Sequence, residues 1–218
     1  MVKVFYTFFI LHFFSYYFSQ EKKDDWYLKK SEKGIEVYTR KPENSDFKEI
    51  KSVVYIKTSL NSIVSLISDW ESYPKWVYRC DKSITLKKIN EAEFMHYQTI
   101  MVPWPAEDRD FVVNVTLAQN EETKIVTIKS ICNSNYIPPV KSHIRITELN
   151  ASWTLVPLKD GVIEVTYQLL VNPGGSVPAW LVNIAAVDGP YETMINFKSS
   201  VMKKKYQDAK VSFIKELN

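Results

Sequence analysis

Beyond its first apolar run the chain carries two histidines, His96 and His143, and two cysteines, Cys80 and Cys132. Neither histidine lies in an HExxH pair and the cysteines form no CxxC, so no metal-ligand spacing is present. There is no GxSxG elbow and no glycine-rich phosphate loop, and the whole chain has five glycines. A nucleophilic triad needs Cys or Ser beside one of those histidines, and no motif marks such a pair. The sequence therefore argues against a classical hydrolase or metalloenzyme, and no catalytic residue, metal or cofactor is expected. What chemistry the chain offers is concentrated in VPWPAEDRDFV, residues 102–112, where Glu107, Asp108, Arg109 and Asp110 crowd together. Glu107 and Asp108 belong to a proline-bounded loop and are expected in water, because a carboxylate poised for acid–base work needs burial to shift its pKa. Arg109 begins a run of alternating polarity, and a guanidinium turned inward needs a carboxylate or the anionic end of a ligand to satisfy it.

The elements that would position Arg109 follow from periodicity. From Arg109 to Leu117 the odd positions Arg109, Phe111, Val113, Val115 and Leu117 share one face, which is expected to be the interior. By the same rule Val126, Ile128 and Cys132 face inward, as do Trp153 with Leu155, and Val165 with Tyr167 and Leu169. The run FMHYQTIMV, which carries His96 and Gln98, mixes apolar and polar residues on both faces and stays ambiguous. Strand-like runs at 35–39, 47–57, 83–89, 93–102, 110–118, 124–133, 144–157 and 162–171 give an antiparallel meander, since few helices intervene. DDWYLKKSEKG is expected to form a short helix, with Trp26 and Leu28 as anchors and Gly34 ending it. A second helix spans 58–69, with Leu60, Ile63, Val64 and Ile67 on one face behind a Thr58 or Ser59 cap. WESYPKWVYRC is an aromatic connector. A long C-terminal helix places Trp180, Leu181, Ile184, Val187, Tyr191, Met194, Ile195 and Met202 on one face, and Asp188-Gly189-Pro190 should kink or split it. The expected fold is α+β: a curved antiparallel sheet with that helix lying across it.

In bulk, 45% hydrophobic and 24% charged residues over 218 positions fit one globular domain. The net charge of +3 is scattered, which argues against a nucleic-acid partner. Lys203-Lys204-Lys205 reads as a solvated helix face. At the N-terminus Lys3 precedes an apolar run to Phe18, about 15 residues long and too short to span a bilayer, and charge begins abruptly at Glu21. Residues 1–19 are thus expected to be a signal peptide cut near Ser19 or Gln20, sending the protein to a secreted or periplasmic location. In that oxidising setting Cys80 and Cys132 could pair or remain separate thiols.

The order of VPWPAEDRDFV, ASWTLVPL, NPGGSVPAWLVN and GPYETMINFKSS, with WESYPKWVYRC at the junction after the helix, closely resembles the START (StAR-related lipid transfer) domain family over residues 24–216. The resemblance implies a helix-grip fold, in which the curved sheet wraps the C-terminal helix and encloses a hydrophobic cavity for one lipid. It implies a lid formed by the C-terminal helix and by interstrand loops, including Val102 and Trp104. It also implies that Arg109 lies near the cavity, where some phospholipid-binding members use the matching arginine to hold a polar head. Sterol-binding relatives bury an acid–arginine pair, and this chain offers His96 where the acid would stand. The expected ligand site comprises His96, Gln98, Arg109, Phe111, Val113, Val115, Val126, Ile128, Trp153 and Tyr167 from the sheet, with Leu181, Ile184, Val187 and Met194 from the helix.

The function that follows is binding and transfer of one phospholipid, fatty acid or other lipid by a monomer that touches membranes transiently. Burying an acyl chain of about 16 carbons stabilises the complex by about 13 kcal/mol against water, at roughly 0.8 kcal/mol per methylene. Exchange with a bilayer is nearly neutral by comparison, so a lid opening at a membrane suffices for turnover. Trp104 and Val102 suit contact with that interface. The alternative is a helix-grip cyclase or aromatase, with His96, Arg109 and Tyr167 as acid–base groups.

Overall fold

In the computed structural model, which describes residues 25–177 and 184–217, ten strands form a sheet whose order is β1-β2-β3-β10-β9-β7-β6-β5-β4, with β8 added alongside β6. The segments are β1 (Tyr27–Glu32), β2 (Ile35–Arg40), β3 (Glu49–Lys57), β4 (Cys80–Lys88), β5 (Glu93–Ile100), β6 (Asp108–Gln119), β7 (Val126–Cys132), β8 (His143–Arg145), β9 (Glu148–Pro157) and β10 (Val162–Asn172). Neighbours are antiparallel except β8, which runs parallel to β6. Helix α1 (Leu60–Ser68) and a 3-10 turn (Trp70–Lys75) separate β3 from β4; a π turn (Ile184–Asp188), α2 (Gly189–Val201) and α3 (Lys204–Gln207) follow the sheet. No helix among the described residues is long and apolar enough to cross a membrane. The signal peptide expected over 1–19, together with Trp180 and Leu181, lies outside the described residues.

The helix expected at the start is instead a hairpin. Tyr27 pairs with Thr39 and Glu32 with Ile35, and the link is Lys33 (φ 52°) and Gly34 (φ 70°). Two consecutive left-handed residues make the tight turn whose twist matches paired strands, so the glycine that looked like a helix stop is a hairpin turn. Trp26 is then packed under cations rather than in a helix face, with Arg40 and Lys51 within 4.5 Å and 4.4 Å of its ring centroid.

Helix α1 forms where its period indicates. Ser59 is the cap, its Oγ accepting the Ser62 N–H at 3.0 Å, and Leu60, Ile63, Val64, Leu66 and Ile67 are buried. The run 144–157 is two strands, β8 and β9, and the C-terminal helix is interrupted where Asp188-Gly189-Pro190 indicated, by a π turn that hands over to α2. Tyr191 and Met194 are buried and Met202, one residue past the end of α2, is exposed.

On β6 the odd residues Arg109, Val113, Val115 and Leu117 are buried and Phe111 is partly so. The even side is exposed at Asn114, Thr116 and Ala118 but buried at Asp110 and Val112. There a second small core, Met95, Tyr97 and Val112 with Ile84, Leu86 and Ile137, covers the outer face of the sheet. This resolves FMHYQTIMV: His96 and Gln98 point inward, Met95 and Tyr97 outward, and all four are buried. Cys80 and Cys132 are free thiols, and burial pushes Cys80 up to about 12, which makes it inert as a nucleophile.

Candidate functional site

The inner face of the sheet is divided. Val115, Leu117, Val126, Ile128, Leu155 and Val165 belong to a contiguous core that also holds Ile63, Ile67, Met194, Phe197 and Val201 from the helices. Nearer the other end of the strands the helices no longer fill the concavity, and a cavity of about 290 Å³ remains. Its wall takes His96, Gln98 and Ile100 from β5, Arg109, Phe111 and Val113 from β6, Ala151 and Trp153 from β9, and Tyr167 and Leu169 from β10. Val102 and Pro103 border it from the β5–β6 loop, and Gly189, Pro190 and Thr193 from α2.

Of the residues expected at the site, the structure therefore brings together His96, Gln98, Val102, Arg109, Phe111, Val113, Trp153 and Tyr167. Val115, Val126, Ile128 and Met194 were expected on the cavity wall but are sealed in the solid core, each at most 1% exposed. Alternation tells which face a residue takes, not how far along that face the helices reach. Val187 packs partly buried against the same core. Trp104 stands 88% exposed at the loop tip, away from the cavity. Leu181 and the side chain of Ile184 lie outside the described residues.

An aromatic wall was missed in the sequence. Trp70, Tyr73 and Trp76 recur every three residues in and just after the 3-10 turn, the spacing that stacks side chains on one face of such a turn. Their rings pack in tilted and T-shaped contacts, with centroids 5.2 Å apart for Trp70 and Tyr73 and 4.6 Å for Tyr73 and Trp76, and the row continues through Trp153 to Tyr167, whose ring centroid is 4.5 Å from that of Trp153. The turn is pinned by Tyr73 Oη donating to the Ile67 carbonyl at 2.7 Å and by Trp76 Nε1 donating to Ser72 Oγ at 3.1 Å.

His96 is clamped in this wall, its ring 4.7 Å from Trp70 and 5.6 Å from Tyr73. Burial lowers its pKa to about 4, against the opposing hydrogen bonding to Gln98 and the Ile84 backbone, so the ring is neutral at pH 7. Ser83 gives its one proton to the Trp70 carbonyl, so toward His96 Nε2, 3.4 Å away, it can only accept. Gln98 Oε1 also stands 3.4 Å from Nε2. Both neighbours accept, which places the proton on Nε2 and turns the Gln98 amide nitrogen away from His96. Tyr167 is raised above the ordinary phenol range by burial alone.

Arg109 occupies the opposite end, 3% exposed. Its Nε donates to the Pro173 carbonyl at 3.3 Å, its Nη2 to the Gly174 carbonyl at 3.2 Å, and its Nη1 to the Glu107 carbonyl. Burial lowers its pKa, opposed by the nearby charges of Glu107 and Asp108. Gly174 and Gly175 both have positive φ, a left-handed conformation that glycine adopts without strain, and this turn brings the Gly174 carbonyl to the guanidinium. Asp108, expected in water, is half-buried and accepts the Val102 N–H at 2.7 Å, closing the base of the 102–108 loop.

Comparison with known proteins agrees with this geometry. A family model described as START domain matches residues 18–192. An uncharacterized protein of Pseudomonas aeruginosa is 35% identical over 182 residues, 83% of this chain and 89% of that protein. The phosphatidylcholine transfer protein of Rattus norvegicus is 22% identical over 176 residues, 76% of this chain and 78% of that protein. Among solved structures, a STAR-related lipid transfer protein fragment from Xanthomonas axonopodis is similar with a TM-score of 0.76 at 33% identity, covering 83% of this chain and 100% of that one. Human STARD10 shares the fold with a TM-score of 0.73 at 18% identity, over 85% of this chain and 76% of that one. The curved antiparallel sheet, its C-terminal helix, the cavity between them and these matches lead to one statement: the chain belongs to the START domain family.

Proposed function

We propose that the protein binds a single lipid, a phospholipid or another acyl lipid, and carries it between membranes. The observation that supports this most directly is a cavity walled mainly by aromatic and aliphatic side chains with a buried guanidinium, Arg109, at one end. The six steps of chain from Tyr167 to Pro173, whose carbonyl faces Arg109, span about 20 Å when extended, a length matched by one long acyl chain. The name of the phosphatidylcholine transfer protein, and that of the Xanthomonas axonopodis structure, support the same class of ligand.

The 102–108 loop and α2 form the lid in this reading, and the exposed Trp104 inserts into the interface where exchange takes place. The protein acts as a monomer outside the cytoplasm, delivered there by the signal peptide of residues 1–19. The enzymatic alternative would use His96 for proton transfer, but its Nε2 is turned to Ser83 and Gln98 and the ring is held neutral, which favours a positioning role.

The test is mass spectrometry of organic extracts of the purified protein, joined to transfer of a fluorescent acyl lipid between vesicles. One lipid per chain and protein-dependent transfer are expected. Extracts without lipid, together with no transfer, overturn the proposal; conversion of the added lipid that is abolished by His96→Ala, with binding intact, favours an enzyme.

A further inference from the structure

We propose that the cavity selects lipids whose polar head is net anionic and lacks an amine, through two guanidinium groups at its mouth, Arg79 and Arg109; this rests on the lipid-binding reading above. Both residues line the cavity, and its described lining includes no Asp, Glu or Lys. The hydrogen bonds of Arg109 go to neutral carbonyls, so its charge is solvated but not paired. The two carboxylates nearest it do not reach the wall: Glu107 is exposed, and Asp108 is engaged by the Val102 N–H.

Arg79 is placed opposite by the sheet. Its carbonyl accepts the Met101 N–H at 2.8 Å at the end of β5, and the preceding residue of β5, Ile100, pairs with Arg109. The two arginines thus flank one strand, separated by two interstrand spacings, about 10 Å between backbones. Arg79 is exposed, makes no ion pair with a described residue, and is steadied by its own neighbour: Nε donates to Tyr78 Oη at 3.0 Å and the guanidinium lies 5.3 Å from the Tyr78 ring centroid. Its remaining N–H groups are available to a bound head at the rim.

The consequence is a charge filter. A phosphodiester without an amine, or a carboxylate, brings acceptors and negative charge to two cations. A choline or ethanolamine head brings a third cation to a mouth with no carboxylate to receive it, so the same phosphate is bound with a penalty. The shared ligand chemistry is an anionic oxygen head on an acyl chain, from either a phospholipid or a free fatty acid.

The experiment uses the full chain and three probes with the same pyrene-labelled acyl chain: phosphatidylglycerol, phosphatidylcholine and the free fatty acid. Each is present as a trace in phosphatidylcholine vesicles, so that vesicle charge is constant. Uptake of phosphatidylglycerol, of the fatty acid or of both is expected to exceed that of phosphatidylcholine about tenfold, and whichever of the two is preferred identifies the source of the head. Arg79→Gln should reduce that ratio several-fold and Arg79→Glu should abolish it; residue 79 is on the surface, and thermal melts verify that both variants fold. Equal or better uptake of phosphatidylcholine by the wild-type chain overturns the filter while leaving lipid binding in place. An unchanged ratio in both Arg79 variants overturns the role of Arg79. No uptake of any probe overturns this inference and the lipid-carrier reading together.

Discussion

Asp110 and Arg145 meet in a two-pronged ion pair on the outer face of the sheet, Nε to Oδ1 at 2.9 Å and Nη2 to Oδ2 at 2.8 Å. The Asp110 side chain is fully buried and that of Arg145 is 8% exposed. The other Arg145 donors go to the carbonyls of Ser134, Ile137 and Pro138, so one guanidinium fastens the 133–142 segment over the small outer core. Breaking such a pair leaves a buried carboxylate without its counter-charge, so Arg145→Ala should destabilise by about 3–5 kcal/mol. For a chain of this size that corresponds to a melting temperature about 6–20 °C lower. Calorimetry on Arg145→Ala checks it, and Asp110→Asn/Arg145→Met, which removes both charges, should recover much of the loss.

Why this pair was not legible in the sequence shows where sequence reading stops. The alternation of β6 puts Arg109, Val113 and Val115 inside and Asp110 on the other face, and alternation alone does not show that this second face is covered as well. What buries Asp110 is the parallel pairing of β8, with Asp110 opposite Arg145, a contact between residues 35 apart that no local period encodes. The same outer cover explains FMHYQTIMV, whose mixed pattern is that of a strand buried on both faces. Ser59 and the 3.6-residue spacing of Leu60, Ile63 and Ile67 were local signals and located α1. Lys33-Gly34 was local too, but a glycine after a short polar run serves a helix end and a hairpin equally, and only the pairing of Tyr27 with Thr39 decides. At the site, inward-facing residues were legible, whereas the line between cavity wall and solid core depends on where α2 lies.

His96 should make stability depend on pH in a defined window. Its pKa falls from an ordinary value near 6.5 to about 4 on folding, because burial disfavours the charged ring. The unfolded chain therefore binds the proton first, so stability is complete above about pH 7 and declines as pH falls from there toward 4. Between pH 7.5 and pH 5 this one group should remove about 2 kcal/mol. Urea unfolding at the two pH values measures the decline, and His96→Gln should flatten it; an equal slope in the variant assigns the dependence to other groups.

In the proposed carrier, Thr193 should govern how fast the lid opens. Its Oγ1 accepts the Tyr78 N–H at 3.1 Å, linking α2 to the connector that precedes β4 across the cavity mouth. The start of α2 is held independently by Lys30, whose Nζ lies 4.0 Å from the Tyr191 ring centroid and 3.6 Å from Asp188 Oδ1. Thr193→Val keeps the shape but leaves the Tyr78 N–H unpaired, a loss of about 1 kcal/mol. Release of a fluorescent acyl lipid to acceptor vesicles should accelerate several-fold, and Thr193→Ser should stay near wild type. Slower or unchanged release in Thr193→Val would place the moving element elsewhere.

Glu216 should stabilise α1 from the far end of the chain. The first turn of α1 contains no acidic residue, and its free N–H groups are met instead by Glu216, Oε2 accepting from Leu60 and Oε1 from Asn61, each at 2.9 Å. Oε1 also accepts from Asn61 Nδ2 at 2.6 Å, while Asn61 Oδ1 accepts the Val211 N–H at 2.7 Å, so the tail and the helix start brace each other. A carboxylate at a helix N-terminus satisfies orphan donors and complements the positive end of the helix dipole. Glu216→Ala should therefore destabilise by about 1 kcal/mol, lowering the melting temperature by about 2–4 °C. Glu216→Gln, which keeps an acceptor but not the charge, should fall between the two, and adding salt should narrow the gap between Glu and Gln because the dipole interaction is screened.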